Sequence, residues 1–348
     1  MVRVTGNFSS EAPLPGIVAS AISAAFDAGW ADPKKLSQAA TRSKILRSQA
    51  IESIAGRLGT RVDEIEVVGE GELATYLCIA GFLQPDRHLA VGAIDRGKIR
   101  AFTRTHHDHT IVPVDSRGSL VADAIPSRSL FTLQVANGET GITQDVENLS
   151  SRAEIVVLDA THSAPRVRLT SRWDGAIFSS ESWGGPSGLA FMAIRSAAQW
   201  RYPLPHIAPI RTPGGYSLPL LLGAAVALEN FNENEARIRA LNLYLRKVIA
   251  QALPDAVVVG DIDKSMPHKV TITIPGGISE MFIRELEAQS LTIDAGSACS
   301  PDDLTPSHVL AAMGLPTEGS IRLTLRDDQS EAEIDQLVSA LVKVRGDL

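Results

Sequence analysis

Chemically capable side chains follow several of the short apolar segments in this sequence. Asp159 comes directly after the apolar run 155–158. A carboxylate at the end of a buried strand must be paired or hydrogen-bonded, so it belongs either to a ligand site or to a structural ion pair. The sequence leaves both interpretations open. The other polar side chains in such places are Asn137, His162, Ser179 and Ser182.

A glycine-containing turn follows the apolar run 65–68 and leads into a predicted helix. Its sequence is Gly69-Glu70-Gly71-Glu72. A strand, a glycine-rich turn and a helix N-terminus form a common phosphate-binding arrangement. Two carboxylates occupy this turn, however, and Glu72 is equally well explained as an acid that complements the helix dipole.

The histidine cluster and the cysteines give weaker signals. His107 and His109 share one face of an extended chain while His106 and Asp108 point to the other, so a solvated strand start is predicted and no metal site. Two cysteines, Cys78 and Cys299, are too few for a disulfide framework and indicate a reducing compartment. Cys78 lies in an apolar helical pattern that predicts burial, which leaves Cys299 as the candidate reactive thiol.

Two domains are predicted to position these residues. Apolar runs alternate with amphipathic stretches up to about residue 232, which predicts a mainly parallel sheet covered by helices over residues 14–232. Ligands bind beyond the carboxyl ends of such strands. A long polar helix over 233–253 then opens a different pattern, which predicts a smaller α+β domain made of residues 1–13 and 233–348.

Composition excludes several classes of protein. The chain has 348 residues, 33 Lys and Arg, 40 Asp and Glu, a net charge of −7 and 44% hydrophobic residues, which is typical of a globular protein rather than a disordered or fibrous one. The acidic balance predicts that nucleic acid is not a partner. No signal peptide or membrane-spanning apolar stretch is visible, so a cytoplasmic location and no membrane partner are predicted.

Several segments, in this order, resemble the motifs of one enzyme family. They are Ala136-Asn137-Gly138-Glu139-Thr140-Gly141, Leu158-Asp159-Ala160-Thr161-His162-Ser163, Trp183-Gly184-Gly185-Pro186-Ser187-Gly188, Gly296-Ser297-Ala298-Cys299-Ser300, Pro306-Ser307-His308-Val309-Leu310 and Ser320-Ile321-Arg322-Leu323. They resemble A-N-N-E-x-G, V-D-A-A-Q-S, F-Y-G-P-K-G, G-S-A-C-S, P-S-H-V-L and S-I-R-F of the cysteine desulfurase branch of the class V aminotransferases. The resemblance implies the α/β fold type I of pyridoxal phosphate (PLP) enzymes.

The resemblance also implies a role for each residue that matches the family. Asp159 would pair with the pyridine nitrogen of PLP, and Asn137 would lie beside its ring. Ser179 would contact the PLP phosphate and Arg322 the substrate carboxylate. Cys299 would take sulfur from cysteine as a persulfide.

Other positions depart from the family in ways that affect PLP. The lysine that forms the Schiff base falls on Ser182, and a hydroxyl cannot form an imine. The ring-stacking histidine falls on Arg96. The phosphate cup G-A-T falls on residues 70–72, so that Gly71 and Glu72 bring a carboxylate where a threonine hydroxyl should meet phosphate.

The predicted function follows from these departures. We expect a cysteine desulfurase-like pseudoenzyme, a homodimer without PLP, whose cleft binds a small anionic or carboxylate ligand through Arg96, Arg322 and Arg211. His162, in place of the family's glutamine, would add a titratable group. A role as a sulfur-transfer partner or regulator is the other form of this prediction. Two alternatives stay open: an active PLP-dependent desulfurase or aminotransferase that uses a displaced lysine, Lys34 or Lys35, and an interaction protein that forms a heterodimer with an active desulfurase.

Overall fold

Two β-sheets organise the chain, for which a computed structural model describes residues 5–169, 172–207, 210–295 and 306–346. The strands are β1 (Ile65–Val68), β2 (His88–Gly92), β3 (His109–Val112), β4 (Ser129–Gln134), β5 (Ile155–Asp159), β6 (Gly175–Ser179), β7 (Ala190–Ile194), β8 (Val257–Val258), β9 (Lys269–Thr273), β10 (Asp294–Ala295) and β11 (Ser320–Thr324). The first seven form one sheet and the last four form the other.

The larger sheet is mostly parallel, as predicted. Its strand order is β1-β7-β6-β5-β4-β2-β3, and only β7 runs antiparallel to its neighbours. Strands β4, β5 and β7 are buried along their whole length, because helices cover both faces of the sheet. The six strands other than β7 run in the same direction, so their carboxyl ends meet at one edge, where the predicted site residues of the large domain lie.

Helices pack on both sheets. They are α1 (Gly16–Ala28), α2 (Gln38–Leu58), α3 (Gly71–Phe82), α4 (Gly97–Arg100), α5 (Val146–Ser150), α6 (Leu218–Glu229), α7 (Glu235–Ala252), α8 (Ser279–Glu287), α9 (His308–Ala312) and α10 (Glu331–Gly346). The sequence accounts for several helix ends: the side chain of Ser37 caps α2, and Gly59 ends it in the left-handed conformation that glycine adopts without strain. None of the described helices is long and apolar enough to span a bilayer.

The smaller sheet is antiparallel, in the order β10-β11-β9-β8. Side chains on β9 and β11 alternate: Ile272 and Leu323 enter a core formed with α7, α8 and α10, while Thr271 and Arg322 face the other way. Phe8 belongs to that same core, which supports our assignment of the N-terminal residues to the small domain. We retain the boundary near residue 232 as a proposal.

Some elements differ from the sequence-based expectations. Helix α1 has no counterpart in the predicted pattern, because its apolar residues are spread round the helix and only Val18 and Ala25 are buried. The two-residue strand β10 is also new. Both are cases in which packing against a neighbour, rather than local pattern, decides the element.

Candidate functional site

The site lies at the carboxyl edge of the large sheet, where the chain leaves β1, β2, β5 and β6. Asp159 is the last residue of β5 and Ser179 the last of β6, two strands that lie side by side. Helix α3 begins three residues after β1, which is parallel to β6 because both are antiparallel to β7. The prediction that these segments converge is confirmed.

An ion pair between Arg96 and Asp159 lies at the centre of this edge. The Nε of Arg96 donates to Oδ2 of Asp159 at 2.6 Å, and its Nη2 donates to the hydroxyl of Thr75 at 3.1 Å. The other carboxylate oxygen accepts hydrogen bonds from the backbone N–H and the hydroxyl of Thr161, at 3.0 and 2.6 Å. Burial raises the pKa of Asp159, but Arg96 and Thr161 outweigh it and hold the pKa below its ordinary value. Asp159 is therefore a buried carboxylate that is already fully paired.

The start of α3 carries a second internal carboxylate. The Glu70 side chain accepts hydrogen bonds from the backbone N–H groups of Glu72 and Leu73, at 2.7 and 2.5 Å. These are the free N–H groups that a helix N-terminus offers to an anion. Glu72, which we expected at this seat, instead forms an exposed ion pair with Lys98 at 2.6 Å. The expectation named the wrong residue. Glu72 lies within the helix and its side chain points outward, whereas the side chain of Glu70 caps the helix. Gly71 is the first residue of the helix.

Ser179 ends β6, and Ser182 lies in the 3₁₀ turn that follows it. The hydroxyl of Ser182 lies 2.6 Å from the carbonyl oxygen of Ala164 and 2.8 Å from that of Ser179, so its one proton is held by the backbone. The hydroxyl of Ser179 lies 3.4 Å from a carboxylate oxygen of Glu181. Arg166, in the loop after β5, donates to the carbonyl of Ser182 at 2.5 Å, which fixes this turn against that loop.

Asn137 is committed to its own turn. Its Oδ1 accepts from the backbone N–H groups of Glu139 and Thr140, and its Nδ2 donates to Gln134 and to the carbonyl of Ile94. The amide therefore shapes the loop after β4. The resemblance gave it a place beside the PLP ring, but all of its polar atoms already have partners within the protein.

The His162 ring occupies the space above the neighbouring Gly138. A Cβ at Gly138 would lie 2.4 Å from Cδ2 of His162, so any larger residue there would displace the ring. Burial lowers the pKa of His162 to about 4, against the attraction of Asp159, and Lys269, Arg96 and Arg322 lower it further. His162 is therefore a neutral imidazole between the two domains. The sequence signal for this arrangement is Gly138, which stands where the family motif A-N-N-E-x-G has its second asparagine.

The small domain contributes two cations to this region, Arg322 and Lys269, and the sequence did not predict that they lie together. Arg322 on β11 has a buried Nε without an acceptor. Lys269 on β9 donates to the hydroxyl of Thr324 at 3.0 Å, and burial lowers its pKa to about 8 against the opposing effect of Asp294. Lys269 was missed because a lysine at the start of a strand normally extends into solvent.

Four other predicted residues have different outcomes. Cys299 lies outside the described residues. Lys34 and Lys35, the lysines proposed as substitutes for the missing amine, are exposed in the turn before α2. The prediction that Arg211 lies in the anion pocket was wrong. Arg211 donates to the carbonyl of Asp63 at 2.8 Å, just before β1 begins, whereas the pocket lies where β1 ends. The length of β1 therefore separates Arg211 from the pocket.

Two further sequence predictions concern buried or clustered groups. Cys78 is fully buried in α3, and burial raises the pKa of its thiol, so the predicted core role is confirmed. Within the described ranges, no three His, Cys, Asp or Glu side chains are placed to hold a metal ion. His308, at the start of α9, donates to the carbonyl of Asp95 at 2.9 Å.

Asp95, the residue before Arg96, is a buried acid that the sequence did not single out. Its Oδ2 accepts from the backbone of Gly92 at 2.9 Å and from the hydroxyl of Thr132 at 2.6 Å, whereas its Oδ1 has no partner. Burial raises the pKa of Asp95 to about 7, against these hydrogen bonds. It supports the turn that presents Arg96.

Curated relatives are cysteine desulfurases. The chain is 27% identical over 326 residues to a cysteine desulfurase of Nostoc sp. (strain PCC 7120), an alignment that covers 85% of this chain and 81% of the relative. It is 28% identical over 320 residues to cysteine desulfurase 2 of Trichormus variabilis, covering 84% and 80%. No protein-family model matches the chain.

Solved structures with the same architecture cover almost the whole chain. A NifS-like protein superposes with a TM-score of 0.84 at 19% identity, covering 99% of this chain and 100% of the other. The NifS-like protein of Rickettsia africae gives 0.84 at 18% identity, covering 98% and 99%. The chain therefore has the NifS-like, PLP type I fold of the class V aminotransferases, and its sequence is similar to those of cysteine desulfurases.

Proposed function

We propose that this protein is a NifS-like homologue that does not hold PLP and uses the corresponding cleft to bind a small anionic ligand. The observation that carries the proposal is the ion pair of 2.6 Å between Arg96 and Asp159. The pyridine nitrogen of PLP would need the same carboxylate, which already accepts bonds from Arg96 on one oxygen and from Thr161 on the other.

Two more features of the cleft disagree with PLP. The carboxylate of Glu70 takes the N–H groups at the start of α3 that would serve its phosphate. Ser182, which the resemblance places at the position of the imine-forming lysine, offers a hydroxyl and no amine. A ring partner, a phosphate seat and a covalent anchor are thus each replaced, so the residues present do not fit the cofactor.

Positive charge supports an anionic ligand for the same cleft. Arg322, whose counterpart in the family is implied to bind a carboxylate, has an unpartnered Nε. The planar guanidinium matches the geometry of a carboxylate and can donate two parallel hydrogen bonds to it. Arg96 is not part of this ligand site, since Asp159 neutralises it.

Absorbance spectra with added PLP test the loss of the cofactor. The protein is incubated with PLP and reduced with borohydride, and its mass is then measured by mass spectrometry. We expect no cofactor absorbance and no added mass for the native chain or for Ser182→Lys alone, because Arg96 and Glu70 still block the site. The combined variant with Glu70→Gly, Glu72→Thr, Arg96→His and Ser182→Lys is expected to gain both.

Two results would overturn this part of the proposal. One is a reducible adduct on the native chain, whichever lysine carries it. The other is full cofactor binding by Ser182→Lys alone, which would mean that the amine was the only missing group.

Calorimetry with a simple carboxylate tests the anion site. We expect butyrate to bind the native protein and to lose roughly tenfold or more in affinity on Arg322→Gln, since a charge-assisted hydrogen bond is worth about 1.5–3 kcal/mol. Arg152→Gln is the matched control, because Arg152 is an exposed arginine paired with Asp123 at 3.0 Å. Equal affinity in all three proteins would contradict the proposal.

A sulfur-transfer role is the second candidate, supported by the similarity to cysteine desulfurases. In this reaction the Cys299 thiol attacks the outer sulfur of a persulfide on a desulfurase, gains that sulfur as its own persulfide and leaves the donor as a thiol. Labelled sulfur is expected on the native chain and on Cys78→Ser, and not on Cys299→Ser. Absence of label from the native chain would eliminate this role.

A further inference from the structure

Lys269 and Arg322 lie on the same face of the small sheet. In the pairing of β9 with β11, Lys269 is opposite Thr324 and Arg322 is opposite Thr271, so the two cations are diagonal neighbours. Diagonal neighbours on paired strands have their Cα atoms roughly 7–8 Å apart, within reach of two long side chains. This polar face is turned toward the loop after β4, because Thr271 donates to the carbonyl of Glu139 at 2.7 Å.

Neither Lys269 nor Arg322 forms an ion pair with a carboxylate among the described residues, whereas two nearby arginines, Arg96 and Arg166, do. Arg96 is paired with Asp159, and Arg166 forms two hydrogen bonds with Glu233 at 2.7 and 2.5 Å. In the part of the chain that the structure describes, Lys269 donates to the hydroxyl of Thr324, and the buried Nε of Arg322 has no acceptor. Asp294, opposite Arg322 in the pairing of β10 with β11, attracts Lys269 but forms no ion pair with either cation among the described residues. One internal carboxylate therefore faces two cations, and the buried Nε of Arg322 is left for an anion from outside.

Other titratable groups around the pair leave its positive charge in place. Burial raises the pKa of Glu139. The hydrogen bond that Glu139 accepts from Ser307, at 2.6 Å, and the charge of Arg322 act in the opposite direction. Asp294 accepts from the backbone of Ser10 at 2.7 Å. The groups that face Lys269 are Asp294, Arg166, Arg322 and Arg326, and those that face His162 are Asp159, Lys269, Arg96 and Arg322. The neutral His162 adds no competing charge.

We propose that Lys269 and Arg322 together bind a small dicarboxylate, one carboxylate on each cation. This inference rests on the proposed anion site and adds to it the second binding group and the class of ligand. Two separated cations match two separated anionic ends better than a single compact anion, and the guanidinium takes one carboxylate in its fork. Both side chains are only partly buried, which leaves them accessible.

Calorimetry with succinate and butyrate tests the pair, because these acids have the same carbon number and differ by one carboxylate. We expect succinate to bind the native protein roughly 10–100-fold more tightly than butyrate. Lys269→Met should reduce succinate to the affinity of butyrate and leave butyrate unchanged. The matched control is Lys264→Met, since Lys264 is exposed in the same domain.

Proton uptake gives a second readout that a purely structural lysine would not produce. Burial lowers the pKa of Lys269 to about 8, so at pH 8 about half of the amines must gain a proton when an anion binds. Measurements in two buffers of different ionisation enthalpy are expected to show this uptake for succinate. Lys269→Arg should keep the preference for succinate and lose the uptake, because arginine does not titrate in this range.

The outcomes separate this inference from the proposed function. Equal binding of succinate and butyrate, with both abolished by Arg322→Gln, would overturn the dicarboxylate site and leave the anion site intact. Binding of sulfate as tight as that of succinate would overturn the two-point arrangement. Failure of all three anions to bind the native protein would overturn both proposals.

Discussion

At the scale of single residues, Arg96 gives Asp159 a partner within the protein. That partner takes the place of the pyridine nitrogen of PLP, which the resemblance implies for this carboxylate. A carboxylate that is 2% exposed at the end of β5 must have a counter-charge, and a guanidinium from the turn after β2 supplies it. Removal of one partner from a buried pair leaves an unpaired charge, which costs more than the pair itself contributes.

Arg96→Met is therefore expected to lower the free energy of unfolding by about 3–5 kcal/mol. The double variant Arg96→Met with Asp159→Asn should recover part of that loss, because no charge is then left buried. Arg152→Met, which breaks the exposed pair with Asp123 at 3.0 Å, should cost less than about 1 kcal/mol. Urea denaturation measures all three, and a neutral Arg96→Met would mean that Asp159 has another partner.

Asp95 belongs to the same scale and makes stability depend on pH. Its pKa of about 7 in the folded protein lies above the ordinary value of 3.8, so the folded state holds the proton more tightly than the unfolded chain does. Its contribution is therefore fully present below about pH 4 and is lost as the pH rises through 7.

Asp95→Asn is expected to stabilise the protein at pH 8.5 by on the order of 3 kcal/mol and to have little effect near pH 4. An asparagine oxygen can still accept the bonds from Gly92 and Thr132, so the hydrogen bonds stay. Unfolding free energies at several pH values give the comparison. Identical pH profiles for the native chain and the variant would contradict the assignment.

At the scale of elements, the start of α3 is an anion site that carries its own anion. The Glu70 carboxylate accepts from two of the free N–H groups and leaves that helix end satisfied without a ligand. The same strand, turn and helix would bind phosphate if the cap were absent.

Glu70→Ala should cost about 1 kcal/mol through loss of the cap. It should also make the melting temperature rise with added inorganic phosphate, because the freed N–H groups can bind it. Glu72→Ala is the control, since it breaks only the exposed pair with Lys98. A phosphate effect of equal size in the native chain, in Glu70→Ala and in Glu72→Ala would show that phosphate binds elsewhere.

At the scale of the whole molecule, two cores meet along a seam that contains a small shared apolar cluster, formed by Ile94 and Ile142 of the large domain with Val259, Val309, Leu310 and Met313 of the small one. The large sheet and the small sheet each have their own buried cluster, and Met266 donates to the carbonyl of Gly141 across the seam at 2.9 Å. The cations of the proposed site come from the small domain and His162 from the large one, so a ligand there would contact both.

The predicted homodimer is also a question for the whole molecule. Large apolar side chains are exposed in the first fifty residues, and Trp30 is 74% exposed whereas Trp173, Trp183 and Trp200 are buried. We expect a second copy of the chain to cover this segment.

Iodide quenching of tryptophan fluorescence tests the dimer together with sedimentation velocity. A dimer should protect Trp30, and protection should disappear as dilution produces monomers. Trp30→Phe should remove the concentration dependence, because the other three tryptophans are inaccessible throughout. A single monomeric species in which Trp30 is fully quenched would contradict the prediction.

Local sequence pattern accounts for the strands of the large sheet and for the edge at which their carboxyl ends meet. The apolar runs 65–68 and 155–158 predicted β1 and β5 within about one residue, and the rule for parallel strands placed Asp159 and Ser179 at one edge. Local pattern suffices here because the side-chain period and the burial of a strand depend on nearby residues. The motifs also indicated the fold before any coordinates.

The pairing of charges, by contrast, depends on contacts between distant parts of the chain. Arg96 and Asp159 are 63 positions apart, so no local pattern pairs them. The structure likewise made Glu70, and not Glu72, the carboxylate at the start of α3, and it brought Lys269 beside Arg322. The physical reason is that desolvation and charge pairing act through space, and the packing of distant elements sets those distances.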